Sequence, residues 1–170
     1  MNKATMGVRL WALRNVFLLY FTKPSVLEVN ERRCEVRIPL NWRTKNHLKS
    51  MYFGALCIGA DVAGGLICFH LMSVMKVRLS FVFKAVRAEF LKRPEDDVHF
   101  ACEDGEAIQA LVRRAVESGE REETTVHVTA RVPKKLGDEP VAQFEMTLSV
   151  KHLSSEPFGG LSNGSRLRRD

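Results

Sequence analysis

The polar loop that enters the longest apolar segment, and the start of that segment, contain three residues whose types can do chemistry. Asn46 lies in a polar loop, Gly54 near the predicted start of a helix, and Asp61 inside that helix between alanine and valine. Backbone N–H groups in the first turn of a helix lack intrahelical partners, so they can stabilise an oxyanion. A carboxylate among apolar residues is costly unless it has a partner or a catalytic role. The pattern therefore indicates attack on a carbonyl that a helix N-terminus polarises.

The spacing of two of these residues has a consequence for assembly. Gly54 and Asp61 are seven positions apart, which is roughly 10 Å along one helix. Both cannot touch one carbonyl carbon from a single chain. A catalytic role for both predicts a homodimer, or a tetramer built from such dimers, with two equivalent sites at the interface.

Structural roles are open for the same residues. Asp61 can instead be a carboxylate bonded to the loop backbone, and Asn46 can simply cap the turn before the helix. His47 either contacts a substrate or is an exposed loop histidine. His70, inside the apolar helix, is typical of a satisfied core histidine. The glycines of the helix can serve close packing against a sheet.

No motif in the sequence predicts a metal or a cofactor. No cluster of His, Cys and Asp has metal-ligand spacing, and neither GxGxxG nor GxxxxGK[ST] occurs. No two of the four cysteines have CxxC spacing. Each lies among apolar neighbours, which predicts buried free thiols in a reducing cytoplasm.

Composition restricts the class of protein. The chain has 170 residues, of which 45% are hydrophobic, with a net charge of +6, and this is typical of one globular domain. Because the positive charge is mild and scattered, we expect no nucleic-acid partner. Residues 51–75 are apolar enough to span a bilayer. The mean hydropathy of −0.13 and the patterning of later segments favour a buried core helix and no stable membrane insertion.

The remaining elements follow from periodicity. Residues 1–21 are basic and then apolar, and predict an amphipathic helix. Apolar side chains at every second position predict strands, and a shift of phase within the strand from Val77 predicts a bulge near Lys84–Ala85. Helical spacing predicts a helix that Asp104 caps and Gly119 ends. The predicted strands cover residues 34–40, 77–90, 98–102, 124–132 and 141–153.

This order of elements predicts an α+β architecture in which a curved antiparallel sheet wraps around the long apolar helix. Residues 1–29 are predicted to form an N-terminal helix and linker, and residues 30–153 the sheet domain. Residues 154–170 are polar and rich in Gly and Ser, which predicts a disordered tail.

The loop and helix start resemble the hotdog-fold acyl-CoA thioesterases of the phenylacetate-pathway type. In that family an Asn, a Gly and then His-Gly-Gly begin the central helix, and an acidic residue follows seven positions after the last Gly. Asn46, Gly54 and Asp61 match this pattern. A closer resemblance, over roughly residues 30–153, is to an uncharacterised hotdog branch assigned to thioesterases, whose members also read like RTKNH, YFGAL and AGG.

Three positions depart from the thioesterase pattern: Lys49 stands in place of Gly, Tyr52 in place of His, and Phe53 in place of the first Gly of the pair. The resemblance implies Asp61 as general base or nucleophile, Gly54 as oxyanion donor and Asn46 as orienting residue. It also implies a hotdog fold and an acyl-CoA, or related acyl thioester, as substrate. Tyr52 can still donate a hydrogen bond, but a phenol does not titrate near neutrality.

Further substrate contacts are predicted around these residues. His47, Tyr52, Phe53, Phe81 and Phe83 are candidate substrate-binding residues. Together with Met51 and Leu56, the three phenylalanines predict a pocket for a medium-sized apolar or aromatic acyl group. Cations that can meet the phosphates of CoA lie in the loop and along the long strand: Arg43, Lys45, Lys49, Lys84, Arg87, Lys92 and Arg93.

Three rival hypotheses remain. A non-catalytic acyl-CoA- or lipid-binding protein on the same fold is favoured by the departures at Lys49, Tyr52 and Phe53. A hotdog hydratase would use a His–carboxylate pair, but His47 is poorly spaced for one. A membrane-associated protein would use the first helix and residues 51–75. An acyl group on CoA and one on an acyl carrier protein are not distinguished.

Overall fold

The computed structural model describes residues 2–153, so the predicted disordered tail lies outside the described residues. Helices and strands follow one another in the order that the sequence predicts. The structure adds a short helix and a strand near the N-terminus and a short helix before the last strand. Their bounds are α1 Lys3–Asn15, α2 Phe17–Phe21, β1 Ser25–Val29, β2 Cys34–Ile38, α3 Phe53–Met75, β3 Leu79–Phe90, β4 Val98–Cys102, α4 Gly105–Ser118, β5 Arg121–Arg131, α5 Pro133–Leu136 and β6 Pro140–His152.

All six strands form one antiparallel sheet in the order β1-β2-β4-β5-β6-β3. The register between β3 and β6 shifts between Phe83 and Ala85, which confirms the bulge that the phase shift predicts. The period-two pattern of β5 is also confirmed, because Val126, Val128 and Ala130 are buried. The predicted α+β class, an antiparallel sheet around a central apolar helix, is therefore correct.

The sheet begins upstream of residue 30, where the sequence placed the start of the sheet domain. β1 pairs with β2 and contains a bulge between Val26 and Glu28. Only Val26 of its five residues is fully buried, so the strand carries no alternation that sequence inspection can detect. The N-terminal segment thus supplies an edge strand as well as helices.

Helix α3 lies in the centre of the fold, where it packs against β2, β4 and β5. It is long and apolar enough to cross a membrane, and most of it is buried inside the fold. A Cβ atom at Gly59 would lie 2.3 Å from the ring of Phe100. Glycine at this position therefore allows the helix to approach β4 closely, which is the packing role predicted for Gly59.

The start of α4 differs in detail from the prediction. Asp104 stands at the N-cap position, but its side chain makes no capping hydrogen bond. Its Oδ2 atom instead accepts a hydrogen bond from the backbone N–H of His127 at 2.6 Å and lies 2.9 Å from the His127 Nδ1 atom. The predicted end of the helix is confirmed, because Gly119 adopts a left-handed conformation with φ of 69°.

The four cysteines are free thiols. Cys34, Cys68 and Cys102 are buried and Cys57 is half-buried. Burial disfavours the thiolate and raises the pKa of Cys34 and Cys68 to about 12 and that of Cys102 to about 11. Thiols of this kind are poor nucleophiles, so they belong to the core and not to a catalytic site.

Candidate active site

The loop before α3 is closed by the side chain of Asn46. Its Oδ1 atom accepts hydrogen bonds from the backbone N–H groups of Leu48 and Ser50 at 2.9 and 3.2 Å, and its Nδ2 atom donates to the Ser50 hydroxyl at 3.2 Å. The backbone adds a short bridge between Lys45 and Met51. Asn46 thus orders the loop that leads into the helix, as its turn-capping interpretation predicts.

Lys49 adopts a left-handed backbone conformation with φ of 63°. This is the position at which the thioesterase pattern has glycine, and glycine alone occupies this region without steric cost. We expect Lys49→Gly to raise the free energy of unfolding by about 0.5–1 kcal/mol. Urea denaturation measures this change in the free energy of unfolding. Lys49→Ala is the matched control and should give no such gain; an equal gain from alanine would attribute the effect to the lysine side chain.

The first turn of α3 presents two backbone N–H groups without acceptors. The N–H groups of Ala55 and Leu56 bond to the carbonyl oxygen of Tyr52 at 2.9 and 3.2 Å. Within residues 2–153, no acceptor is found for the N–H groups of Phe53 and Gly54. Since α3 is 23 residues long, its positive dipole end lies at these two donors. The N–H group of Gly54, which the sequence predicts as an oxyanion donor, is therefore unpaired within residues 2–153, and so is the N–H group of Phe53, which the sequence did not indicate.

The ring of Tyr52 lies over Gly54. A Cβ atom at Gly54 would lie 2.5 Å from the Tyr52 Cε1 atom. Tyr52 also contacts Phe53, with 4.8 Å between the ring centroids, and Phe53 contacts Phe90. Tyr52 and Phe53 are about half exposed, at 50% and 56%. A substrate that approaches Gly54 from solvent therefore meets the half-exposed ring of Tyr52.

Asp61 has no hydrogen bond or ion pair within residues 2–153. The alternative in which it ties the loop backbone is thus not seen. Solvent reaches its side chain in the single chain, but its surroundings are apolar, and this desolvation raises the pKa of the Asp61 carboxyl above its usual value. An unpartnered carboxylate with a raised pKa has the properties of a general base.

Asp61 lines a cavity of about 640 Å³ between α1, α3 and the start of β3. Its walls are mainly apolar, and Asp61 is the one ionisable residue among them. The aromatic rings on its walls contact one another in a chain from Trp11 through Phe69 to Phe81, with centroids 5.2 and 5.1 Å apart. Other lining residues are Gly7, Val8, Val16, Leu19, Gly65 and Met72.

The cavity contains few of the residues predicted to bind substrate. Phe81 lines it. Phe83 packs against Gly64 of α3 instead, and Met51 and Leu56 are buried in the core. His47 is exposed on the loop. The wall that α1 supplies was missed because no sequence pattern indicates that residues 3–15 lie beside α3.

The two edges of the sheet are protected to different extents. β1 is short and α1 crosses it, with the Asn2 Nδ2 atom donating to the Val26 carbonyl at 2.8 Å. β3 is 12 residues long and pairs on one side only, with β6. Val82, Val86 and Phe90 on β3 are at least half exposed. A long apolar edge strand of this kind is a template for pairing with another chain.

The candidate phosphate-binding cations separate into three groups by what they contact. Along and after β3, three of them are ion-paired with glutamates, namely Lys84, Arg87 and Lys92. Arg43 stacks on Trp42, with its Cζ atom 4.6 Å from the ring centroid. Lys45 and Lys49 on the loop, and Arg93, form no ion pair within residues 2–153. The unpaired loop lysines are therefore the better candidates to meet a phosphate.

A six-stranded antiparallel sheet in this order around a long central helix has the hotdog fold. Residues 15–150 match the family described as Domain of unknown function (DUF4442), and the chain belongs to that family. No curated protein matches it.

Solved structures share the fold over nearly the whole chain. The Pseudomonas aeruginosa protein PA5026, named a "Probable Thioesterase", is 21% identical with a TM-score of 0.71, covering 88% of this chain and 96% of that one. Thioesterase HI1161 from Haemophilus influenzae is 14% identical with a TM-score of 0.65, covering 94% and 97%. A mutant of the P. aeruginosa thioesterase PA1618 is 12% identical with a TM-score of 0.65, covering 90% and 97%. At these identities the likeness establishes the hotdog fold.

Proposed function

We propose that this protein hydrolyses acyl thioesters, with acyl-CoA as the principal substrate class. The observation that carries the proposal is Asp61, a carboxylate without a partner in residues 2–153 and with a raised pKa, on the wall of an apolar cavity. The names of the solved relatives support the same class of reaction.

In the proposed reaction, the Asp61 carboxylate takes a proton from a water molecule as the water oxygen attacks the thioester carbonyl carbon. The carbonyl oxygen becomes an oxyanion, which the free N–H groups of Phe53 and Gly54 stabilise. The C–S bond then breaks, the carboxylic acid is released, and the thiolate takes the proton from Asp61. Direct attack by Asp61, with a mixed anhydride that water hydrolyses, uses the same groups. Asn46 is a positioning residue, because it orders the loop that precedes these amides.

The proposed active unit is a homodimer. Because Gly54 and Asp61 lie roughly 10 Å apart along α3, the amides of one subunit serve the carboxylate of the other. The exposed edge strand β3 supports pairing with a second copy. Two such sites are equivalent by symmetry. Assembly of two dimers into a tetramer is compatible with this arrangement.

The proposed acyl site is the cavity beside Asp61. Its volume of about 640 Å³ lies within the usual range for small-molecule sites, and its walls suit a medium-sized aliphatic or aromatic acyl group. Lys45 and Lys49 are proposed to meet the phosphates of CoA or the phosphopantetheine arm of a carrier protein. The proposed location is the cytoplasm, where such thioesters occur.

One observation favours a second candidate function, acyl-CoA binding without turnover. The Tyr52 ring covers Gly54, and where the thioesterase pattern has an imidazole this chain has a phenol. If the ring stays in place, a substrate carbonyl cannot reach the amide. Tight binding of acyl-CoA with no release of thiol would then be the outcome.

A panel of acyl-CoAs of increasing length, with thiol release as the readout, tests the proposal. We expect the highest kcat/KM on medium apolar or aromatic acyl groups; best activity on acetyl-CoA would contradict the assigned pocket. A Cβ atom at Gly7 meets open space, so Gly7→Leu should fill the cavity and move the preference to shorter chains. Gly7→Ala is the matched control, which favours the helix but leaves the cavity open.

A further inference from the structure

Helix α1 is oriented with its large apolar side chains toward solvent. Thr5 and Ala12 are the buried residues of the helix. Met6, Leu10 and Leu13 are exposed, and their spacing of four and three residues places them on one face. α1 is not the amphipathic helix that the sequence predicts, because Met6, Leu10 and Leu13 share its exposed side with Lys3 and Arg14. The side toward the fold carries small and polar residues.

This orientation is fixed by polar contacts to the segment before and in β1. The Thr5 hydroxyl accepts a hydrogen bond from the Val26 N–H at 2.9 Å, and the Asn2 Nδ2 atom donates to the Val26 carbonyl at 2.8 Å. The Arg9 Nε atom donates to the Pro24 carbonyl at 2.8 Å. Rotating α1 to bury its apolar side would break all of these bonds. The exposed face is thus a stable feature of the folded chain.

The exposed face continues into the next helix. Phe17 and Leu18, the first residues of α2, are 62% and 63% exposed. We group them with the exposed apolar residues of α1 and call the set the N-terminal apolar surface. Contiguous apolar patches on a folded chain mark sites of interaction with a protein or a membrane. Its members are Met6, Leu10, Leu13, Phe17 and Leu18.

The charged residues of the segment that carries this surface are all cationic. Residues 1–27 contain four cationic residues, Lys3, Arg9, Arg14 and Lys23, and no Asp or Glu. Lys3 and Arg14 are exposed and form no ion pair within residues 2–153. A second copy docked through the same surface about a two-fold axis would place cations against cations. An anionic partner is favoured instead.

An exposed tryptophan lies at the α2 end. Trp42, at 67% exposed, contacts Phe21 of α2 with 5.7 Å between ring centroids. The Arg43 guanidinium lies over both rings. Tryptophan with an adjacent cation is typical of side chains at the level of lipid headgroups.

We propose that α1 and α2 form a peripheral docking surface for anionic phospholipid bilayers. The N-terminal apolar surface enters the boundary between headgroups and acyl chains, while Lys3, Arg14 and Arg43 meet lipid phosphates. In this proposal α3 remains the core helix and does not enter the bilayer. The inference is independent of thioester hydrolysis, since none of these side chains belongs to the proposed reaction.

Sedimentation of the full-length protein with lipid vesicles tests this inference. We expect binding to phosphatidylcholine vesicles that contain about 30% phosphatidylglycerol, and little binding to phosphatidylcholine alone. Leu10→Ser combined with Phe17→Ser should lower the partition coefficient at least about tenfold. Lys3→Gln with Arg14→Gln should lower it several-fold on anionic vesicles only. Leu91→Ser is the matched control, because Leu91 is comparably exposed, at 48%, and lies outside this surface; it should bind as wild type.

Circular dichroism and thermal melting of each variant exclude unfolding as the cause of a loss. The proposal is overturned if the protein binds neither kind of vesicle, or if Leu10→Ser with Phe17→Ser binds as wild type. It is also overturned if wild type does not bind vesicles and Leu10→Ser with Phe17→Ser changes the oligomeric state in solution. The surface would then be an interface between copies of the chain.

Discussion

Asp61→Asn is expected to lower kcat for acyl-CoA hydrolysis by about 10²–10⁴-fold and, at the same time, to raise the free energy of unfolding at neutral pH. The side chain keeps its shape but loses the ability to take a proton. It also loses a charge that its apolar surroundings disfavour. Thiol release measures the first effect, and urea denaturation at pH 7 measures the second.

The gain in stability should depend on pH in a direction fixed by the raised pKa. A carboxyl whose pKa is higher in the folded than in the unfolded state destabilises the fold when ionised. This penalty is absent below the usual Asp pKa of 3.8 and complete above the folded pKa. The advantage of Asp61→Asn should therefore disappear as the pH is lowered toward about 3. In wild type, kcat/KM should rise with pH as Asp61 ionises, with an apparent pKa above the usual value.

Two results would contradict this account of Asp61. If Asp61→Asn retained full activity, the carboxylate would be neither base nor nucleophile. If it lost stability at neutral pH, Asp61 would have a stabilising partner that the single chain lacks, such as a group on a second subunit. Asp138→Asn serves as a control, because it changes an exposed aspartate away from α3 and should alter neither quantity.

Gly54→Pro is expected to lower kcat by about 10²–10³-fold through loss of one oxyanion donor. Proline is tolerated in the first turn of a helix, because the N–H it removes has no intrahelical partner. Gly54→Ala keeps the N–H and should lower kcat far less, although its Cβ atom would press on the Tyr52 ring. Circular dichroism verifies that the helix persists. Equal losses in both variants would indicate a steric effect and no role for the amide.

Mixing the two inactive proteins tests whether each site is shared between subunits. A heterodimer of Asp61→Asn and Gly54→Pro chains has one site with both native groups and one with neither. After denaturation and refolding together, random pairing makes half of the dimers mixed, so about one quarter of wild-type activity should return. Each variant refolded with itself is the control. If differently tagged subunits co-purify but no activity returns, the two groups do not serve one site across the interface.

The site illustrates where local sequence is informative and where it is not. The free amide of Gly54 follows from a helix start that the polar loop and Gly54 mark in the sequence. The alternatives at Asn46 could not be separated, because a turn cap and a substrate-orienting group use the same side chain. The hydrogen bonds that Asn46 accepts from Leu48 and Ser50 show that it caps the turn. That Asp61 has no partner within residues 2–153 could be recognised only from the positions of all its neighbours.

The sequence by itself determined the elements whose signals are local. Alternation identified β5 and β6, a change of phase located the bulge near Ala85, and apolarity on all sides marked α3 as the central helix. These patterns are readable because each residue's burial repeats with the period of its own element. Asp104 shows the limit: it stands where a cap is expected, but its carboxylate accepts a hydrogen bond from the backbone N–H of His127, 23 residues away.

Only the tertiary structure decided which elements meet. The strand β1, the wall that α1 adds to the cavity and the outward apolar face of α1 all depend on contacts between distant parts of the chain. The face that a helix buries is set by the competition between hydrophobic burial and specific polar contacts. For α1 the hydrogen bonds of Thr5 and Arg9 to the backbone at residues 23–26 hold its polar side inward. No pattern within residues 3–15 indicates that this backbone segment is the partner.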